Sequence, residues 1–178
     1  MRRWTALQTR QKFSRMALFV SLAMIFSYIE FLIPIPLPFP GIKLGLANLV
    51  IIIPLYLWGF TAAMGVSLLR IVLVAITFGN MATLLYSLAG GVLSLSVMAL
   101  VRKIRFFSPV GVSVAGGVFH NLGQLLVAML VVESIKLIYY FPVLLAAGGI
   151  TGFFIGVLAV QVLERLRTES GNGKTNSN

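Results

Sequence analysis

The stretch PVGVSVAGGVFHNLGQLLVAMLVV, from Pro109 to Val132, decides the fold, and it contains no Asp, Glu, Lys or Arg. A helix needs about 20 mainly apolar residues to cross the hydrocarbon core of a bilayer. This stretch is long enough, and the basic cluster Arg102, Lys103 and Arg105 stands just before it, as is usual beside a membrane span. It is therefore predicted to be a transmembrane helix.

Five further apolar runs lie on either side of this stretch. They are Met16–Ile33, Leu44–Trp58, Thr61–Phe78, Ala82–Val101 and Phe141–Leu163. Leu44–Trp58 is short and the next run follows it closely, so these two are expected to form a tight hairpin. The pattern predicts an all-α integral membrane protein with six transmembrane helices. They occupy residues 16–164, between a basic N-terminal segment, 1–15, and a polar tail, 165–178, that is expected to be disordered.

The composition supports lipid as the solvent of this chain. Of its 178 residues, 59% are hydrophobic and only 10% are charged. A soluble domain normally carries about 25% charged residues. A domain of this size could not bury so much apolar surface in a core of its own.

The net charge of +10 is concentrated at the ends of the predicted spans. Three patches hold eleven of the basic residues: Arg2, Arg3, Arg10, Lys12 and Arg15; Arg102, Lys103 and Arg105; Arg165, Arg167 and Lys174. If both termini are cytoplasmic, all three patches lie inside and only Lys43 and Lys136 fall in outer loops. This bias predicts cytoplasmic termini in a multi-pass protein of the cytoplasmic membrane. It argues against nucleic-acid binding.

Enzyme chemistry is poorly supported. The chain has no Cys and no Asp, and it has a single His, His120. A Ser-His-Asp set and a thiolate metal site are therefore excluded. The chain also has no Gly-Lys-Ser/Thr loop to bind the phosphates of ATP. The sequence predicts a protein that is not an enzyme and needs no cofactor or metal. Energy for any transport would have to come from ions or from a partner.

Strong polar residues recur near the middle of the spans or beyond it toward the outside. A charge at the centre of a membrane costs about 2.5–3.5 kcal/mol on insertion scales, so such residues need a partner or a role. Arg70 and His120 lie near the midplane, and Gln124 lies one turn closer to the outside. Glu30 is near the outer end of the first span, and Lys43 opens the second. This shared depth predicts an outward-facing polar cavity that is closed toward the cytoplasm.

Each of these residues also has a structural explanation, and both alternatives stay open. Arg70 either binds a ligand or pairs with Glu30. His120 either binds a ligand or packs between helices. The amides of Asn121 and Gln124 either line the cavity or link helices by hydrogen bonds.

The loop after the first span alternates Pro with other residues over Pro34–Gly41. Such a run is extended and stiff. It is either a rigid connector or a lid over the cavity. Lys43, just after it, is either a residue of the cavity rim or an anchor at the membrane interface.

Small residues repeat every four positions on several spans. Gly116, His120, Gln124 and Ala128 share one face of the fifth span, because residues four apart lie above one another on a helix. Gly148, Gly152 and Gly156 form a similar ladder on the sixth. Ladders of this kind let helices approach closely, either within the bundle or between subunits. The first span carries the pairs Ala17 with Ser21 and Ala23 with Ser27.

Three stretches together resemble one known family. They are PGIKLGLAN at 40–48, AGGVLS at 89–94 and GVSVAGGVFHNLGQ at 111–124. The chain resembles the Gx transporter family, long labelled heptaprenyl diphosphate synthase component I, over about residues 12–166. That family in turn is similar to the substrate-binding S components of energy-coupling-factor (ECF) transporters.

The resemblance implies a six-helix subunit that binds a micronutrient or precursor near its outer face. Such subunits work with a transmembrane coupling subunit and two cytoplasmic ATPases. Small residues of the first helix meet the coupling subunit, and Ala17, Ser21 and Ala23 are the matching residues here. The titratable residues of the predicted cavity are Lys43, Arg70 and His120 against one acid, Glu30, and this balance suggests an anionic or acceptor-rich substrate. Two other functions stay open: an accessory membrane subunit for polyprenyl diphosphate or quinone synthesis, and a stand-alone ion-coupled carrier.

Overall fold

The computed structural model describes the backbone of residues 2–32, 47–104 and 106–175. Within these ranges it describes the side chains from Lys12 to Leu166. The loop Pro34–Gly41, with its two alternatives of connector or lid, and the predicted site residue Lys43 lie outside the described residues.

Six α-helices make up the described chain, and the predicted all-α membrane fold is confirmed. They are α1 (Arg2–Leu32), α2 (Asn48–Trp58), α3 (Phe60–Thr77), α4 (Met81–Lys103), α5 (Pro109–Val131) and α6 (Phe141–Thr175). A short 3-10 helix, Ile135–Tyr140, joins α5 to α6. Five of the six contain a stretch long and apolar enough to cross a membrane, and α2 is a shorter apolar helix.

The largest differences from the predicted boundaries fall at the two ends. α1 begins at Arg2, well before the predicted span begins at Met16. α6 continues to Thr175, so its backbone stays helical within the tail that was expected to be disordered. The inner four helices begin and end within a few residues of the predicted positions.

α2 is surrounded by protein. Its 11 residues have a length of about 16 Å at 1.5 Å per residue, roughly half the thickness of the hydrocarbon core. Every residue from Val50 to Leu55 is buried, and α2 contacts α1, α3, α5 and α6. A helix that is apolar all round belongs in an interior, so α2 fills the centre of the bundle.

The connection from α2 to α3 is a single residue, Gly59, with φ at +89°. An L side chain rarely adopts this conformation, whereas glycine reaches it without steric cost. The predicted tight hairpin is therefore confirmed, and glycine is the residue that permits it.

Arg102 of α4 caps the end of α2. The last four carbonyls of a helix have no partner within that helix. One guanidinium nitrogen of Arg102, Nη1, donates to the carbonyl oxygen of Leu55, and Nη2 donates to that of Tyr56 at 3.4 Å. The guanidinium also lies 4.8 Å from the centre of the Tyr56 ring, a cation–π contact. The end of the bundle that holds Arg102 and Lys103 is called the basic end below.

Replacing Arg102 with Gln should destabilise the protein more than the same change at Lys103. Loss of hydrogen bonds from a charged group typically costs about 1.5–3 kcal/mol. Lys103 is exposed, and substitutions at such positions usually stay within about 0.5 kcal/mol. Unfolding of both purified variants in the same detergent measures the difference, and equal losses would contradict the cap.

α5 is packed through glycines against both α6 and α4. A Cβ atom at Gly117 would lie 2.2 Å from the carbonyl oxygen of Gly148, and one at Gly123 would lie 2.7 Å from that of Ala89. Such distances leave room only for a hydrogen. The glycines of α6 spaced by four, Gly148, Gly152 and Gly156, therefore pack against α5 within the bundle. This was the first of the two alternatives, the second being contact with another subunit. The backbone of α5 is therefore in direct contact with the backbones of α4 and α6.

Candidate functional site

Buried polar side chains form a layer between two apolar clusters. On α5, Val112 belongs to the cluster nearer the basic end and Leu125 to the other, with the polar residues between or beside them. The layer, called the polar layer below, consists of Ser27, Glu30, Arg70, Ser87, His120, Asn121 and Gln124, all buried. It contains every described residue that was predicted to bind substrate.

Arg70 lies on α3 with only 5% of its surface exposed. Its Nη1 donates a hydrogen bond of 3.0 Å to the hydroxyl oxygen of Ser27 on α1. Ser27 is completely buried. The packing of α1 against α3 brings these two side chains together.

The other two nitrogens of Arg70, Nε and Nη2, are buried and have no hydrogen-bond partner among the described residues. These two lie on the same edge of the planar guanidinium, where their N–H bonds run parallel. An unsatisfied buried donor costs about 1–3 kcal/mol, and more when it is charged. The edge is therefore a strong donor pair that the described part of the protein leaves unused.

Glu30 lies three residues after Ser27 on α1 and is also buried. It is close enough to Arg70 for a Coulombic attraction. The hydrogen bond of Nη1, however, goes to Ser27, and the Nε–Nη2 edge makes none with the described residues. The attraction between Arg70 and Glu30 therefore leaves the donors of that edge available for a ligand.

His120 and Gln124 are neighbours on α5, as their spacing of four predicted. Gln124 is fully buried, and its Nε2 lies 3.2 Å from the Nε2 of His120. The imidazole packs against Gly90 of α4, where a Cβ atom would come within 3.0 Å of the ring. The absence of a side chain at Gly90 thus makes room for the ring.

Asn121 points toward α6. Its amide nitrogen donates a 2.8 Å hydrogen bond to the carbonyl oxygen of Leu144. Its amide oxygen, Oδ1, is buried without a partner among the described residues. Asn121 therefore links two helices through one end of its amide and keeps an acceptor at the other.

The hydrogen bonds described above for the polar layer fall into three groups. Arg70 meets α1, His120 and Gln124 meet each other beside α4, and Asn121 meets α6. The first two groups lie beside adjacent residues of α4. Gly91 packs against Ile71, which follows Arg70 on α3, and Gly90 packs against His120. That these groups line one cavity stays a prediction.

The sequence did not single out Ser27 as a site residue. It had appeared only as a small residue spaced four from Ala23. Ser27 could have been recognised from its position three residues before Glu30, because this spacing places both residues on one face of the helix. Only packing shows that this face meets Arg70.

The three residues predicted to meet a partner helix differ in exposure. Ala17 and Ser21 are exposed, and the Ser21 hydroxyl donates to the Ala17 carbonyl at 3.1 Å. Ala23 is completely buried in the apolar cluster near the basic end. A partner helix can therefore reach Ala17 and Ser21, whereas Ala23 packs inside the bundle.

Two clefts flank the end of α2 at the basic end. The larger, about 360 Å³, is lined by Leu55, Phe60, Ala99, Arg102 and Lys103. The smaller, about 230 Å³, is lined by Tyr56, Pro109, Val160, Leu163 and Glu164. Within the described residues, no group of three or more His, Cys, Asp or Glu could hold a metal ion.

Comparison with known proteins identifies the family. The family model described as heptaprenyl diphosphate synthase component I matches residues 19–162, from α1 into α6. No curated protein and no solved structure matches the chain. The match covers far more than half of the sequence and includes the whole polar layer. This multi-pass membrane protein therefore belongs to the heptaprenyl diphosphate synthase component I family, the Gx transporter family that its three motifs indicated.

Proposed function

We propose that this protein is the substrate-binding subunit of an ECF-type uptake transporter in the cytoplasmic membrane. It captures a small anionic or acceptor-rich molecule on the outer side. The observation that carries the proposal is the buried edge of Arg70, whose two N–H groups have no acceptor among the described residues.

A buried arginine of this kind is unfavourable unless something binds it. Inserting such a charge into a membrane costs about 2.5–3.5 kcal/mol even on the lower scales. Ser27 satisfies one nitrogen of Arg70, and Glu30 supplies an opposite charge nearby. The remaining donors would be satisfied by a substrate with acceptor oxygens. The buried amides of Asn121 and Gln124 lie in the same polar layer and suit the rest of such a molecule.

Transport by this chain would need an external source of energy. The sequence has no phosphate-binding loop for ATP. A transmembrane coupling subunit and two cytoplasmic ATPases would supply the energy, as in the transporters that the family resembles. The exposed small residues Ala17 and Ser21 on α1 offer a surface for the coupling subunit.

The family description favours one other function, an accessory subunit in polyprenyl diphosphate or quinone synthesis. Chain-elongating prenyl diphosphate synthases bind magnesium diphosphate through Asp-rich motifs, and this chain has no Asp. The protein would therefore act beside the catalyst and would not be the enzyme itself.

Bulky replacement of Ala17 should separate partner binding from folding. Ala17→Leu places a larger side chain on the exposed face of α1, so it should block a close partner helix and leave the bundle intact. Tagged wild-type protein and the variant are purified from native membranes, and the co-purifying proteins are identified. We expect ATPase subunits with the wild type and a loss of them with Ala17→Leu.

The matched control is Ala146→Leu, because Ala146 is also an exposed small residue, on α6. It should keep the ATPases. A soluble prenyltransferase in place of ATPases would support the accessory function. The absence of both would favour a stand-alone ion-coupled carrier.

A further inference from the structure

We propose that Arg70 recognises a single carboxylate of the substrate through its Nε–Nη2 edge and that Ser27 positions the guanidinium for this contact. The proposal rests on substrate capture as the proposed function and names the chemical class of the substrate. Ser27 is assigned here as a positioning residue, since it touches Arg70 and acts through it.

The geometry of the contact follows from which nitrogens are occupied. Nη1 is held by Ser27 at 3.0 Å, which fixes the rotation of the guanidinium about its long axis. Nε and Nη2 then present two parallel N–H groups, both buried and both without a partner among the described residues. A carboxylate has two oxygens at a matching separation, and the resulting paired hydrogen bonds are charge-assisted and roughly twice as strong as neutral ones.

The balance of charge favours a carboxylate over a phosphate. Among the described buried residues, the side chains that can be charged near neutral pH are Arg70, Glu30 and His120. Arg70 and Glu30 carry opposite charges, so a bound carboxylate adds one negative charge to this pair. A phosphate monoester carries about −1.5 to −2 at neutral pH, and a diphosphate carries more. Buried charge without compensation is costly, so the polar layer suits a monoanion.

Benzoate and benzamide are the probes that test the carboxylate. They have nearly the same shape, but only benzoate carries the charge and the second oxygen. A ligand that binds only the folded protein raises its Tm in proportion to its occupancy. In titrations of the purified protein we expect benzoate to raise the Tm and benzamide to have little effect. Inorganic phosphate and pyrophosphate should raise it less than benzoate does.

Arg70→Lys keeps the positive charge and removes the two parallel donors. Its affinity for benzoate should fall about tenfold to a hundredfold, the range for loss of a charged hydrogen bond. Ser27→Ala removes the acceptor that holds Nη1, and Ser27→Thr keeps a hydroxyl. The preference for benzoate over benzamide should fall in Ser27→Ala and be retained in Ser27→Thr.

Three results would overturn the proposal. The first is no effect of benzoate up to its solubility limit, or an equal effect in Arg70→Lys. The second is an Arg70-dependent stabilisation by pyrophosphate that exceeds that of benzoate. The third concerns Ser27: if Ser27→Ala lowers stability but keeps the preference for benzoate, Ser27 serves the fold alone.

Co-purification keeps this proposal separate from the proposed function. ATPases that co-purify with a protein indifferent to benzoate would leave the transport function standing and remove the carboxylate. A protein that binds benzoate through Arg70 but co-purifies with no ATPase would support the carboxylate and contradict the transport function.

Discussion

Arg70→Gln should give a folded protein that no longer retains its substrate, with affinity lowered about tenfold to a hundredfold. The fold should survive because, among the described residues, Arg70 makes only one hydrogen bond, to Ser27. Small molecules released from the denatured wild type and variant are quantified by mass spectrometry, and thermal stability is measured in parallel.

Glu30→Gln and the double variant Arg70→Gln/Glu30→Gln show whether Arg70 serves to bind a ligand or to neutralise Glu30. If Arg70 existed to neutralise Glu30, losing one partner of a buried pair would cost about 3–5 kcal/mol. The double variant would then recover much of that stability. We expect no such recovery, because the loss in Arg70→Gln should lie in retention of the molecule and not in folding. A stable Arg70→Gln protein that retains as much of the molecule as the wild type would refute the site.

Gly148→Ala should be among the most destabilising single changes in the bundle. Its added methyl would lie 2.6 Å from the carbonyl oxygen of Gly117 and 3.0 Å from the amide nitrogen of Asn121. The first contact is with backbone, which cannot rotate away, so α5 and α6 would have to separate. Overpacking of this kind costs about 1–3 kcal/mol and sometimes more. The strain would also loosen the hydrogen bond from Asn121 to Leu144.

The neighbouring residue provides a matched control. A Cβ atom at Gly149 would have no heavy atom within 4 Å apart from its chain neighbours and the nearby backbone of its own helix. Gly149→Ala should therefore be tolerated, and it should stabilise the helix by about 0.5–1 kcal/mol, the usual difference between the two residues in a helix. Unfolding midpoints of the two variants should move in opposite directions. Shifts of the same sign and size would contradict the close contact between α5 and α6.

The helices were predictable because each span must be apolar along its length, and hydrophobicity along the chain reports that directly. The depth of a residue within a span can be estimated by counting residues along the helix, and the common depth of the polar residues stays a prediction. The direction in which a side chain points was harder to obtain. His120 and Asn121 lie at nearly the same depth, but one packs against α4 and the other bonds to α6.

Contacts between distant helices were the part that the sequence alone could not supply. Ser27 and Arg70 are 43 residues apart, and nothing in either span marks the other as its partner. Arg102 was interpreted only as one member of a cytoplasmic basic patch, yet it also caps α2, 47 residues earlier in the chain. Both contacts depend on which helices become neighbours, and that is decided by packing of the whole bundle.

The shortness of α2 has a consequence for how the protein enters its membrane. A helix of 11 residues is too short to be held in a bilayer by its own hydrophobicity, so α2 should be inserted together with α3, to which Gly59 joins it directly. The carbonyls at its end find Arg102 only after α4 has been synthesised. α2 should therefore reach its final position late, when the ribosome has already made most of the helices that will enclose it.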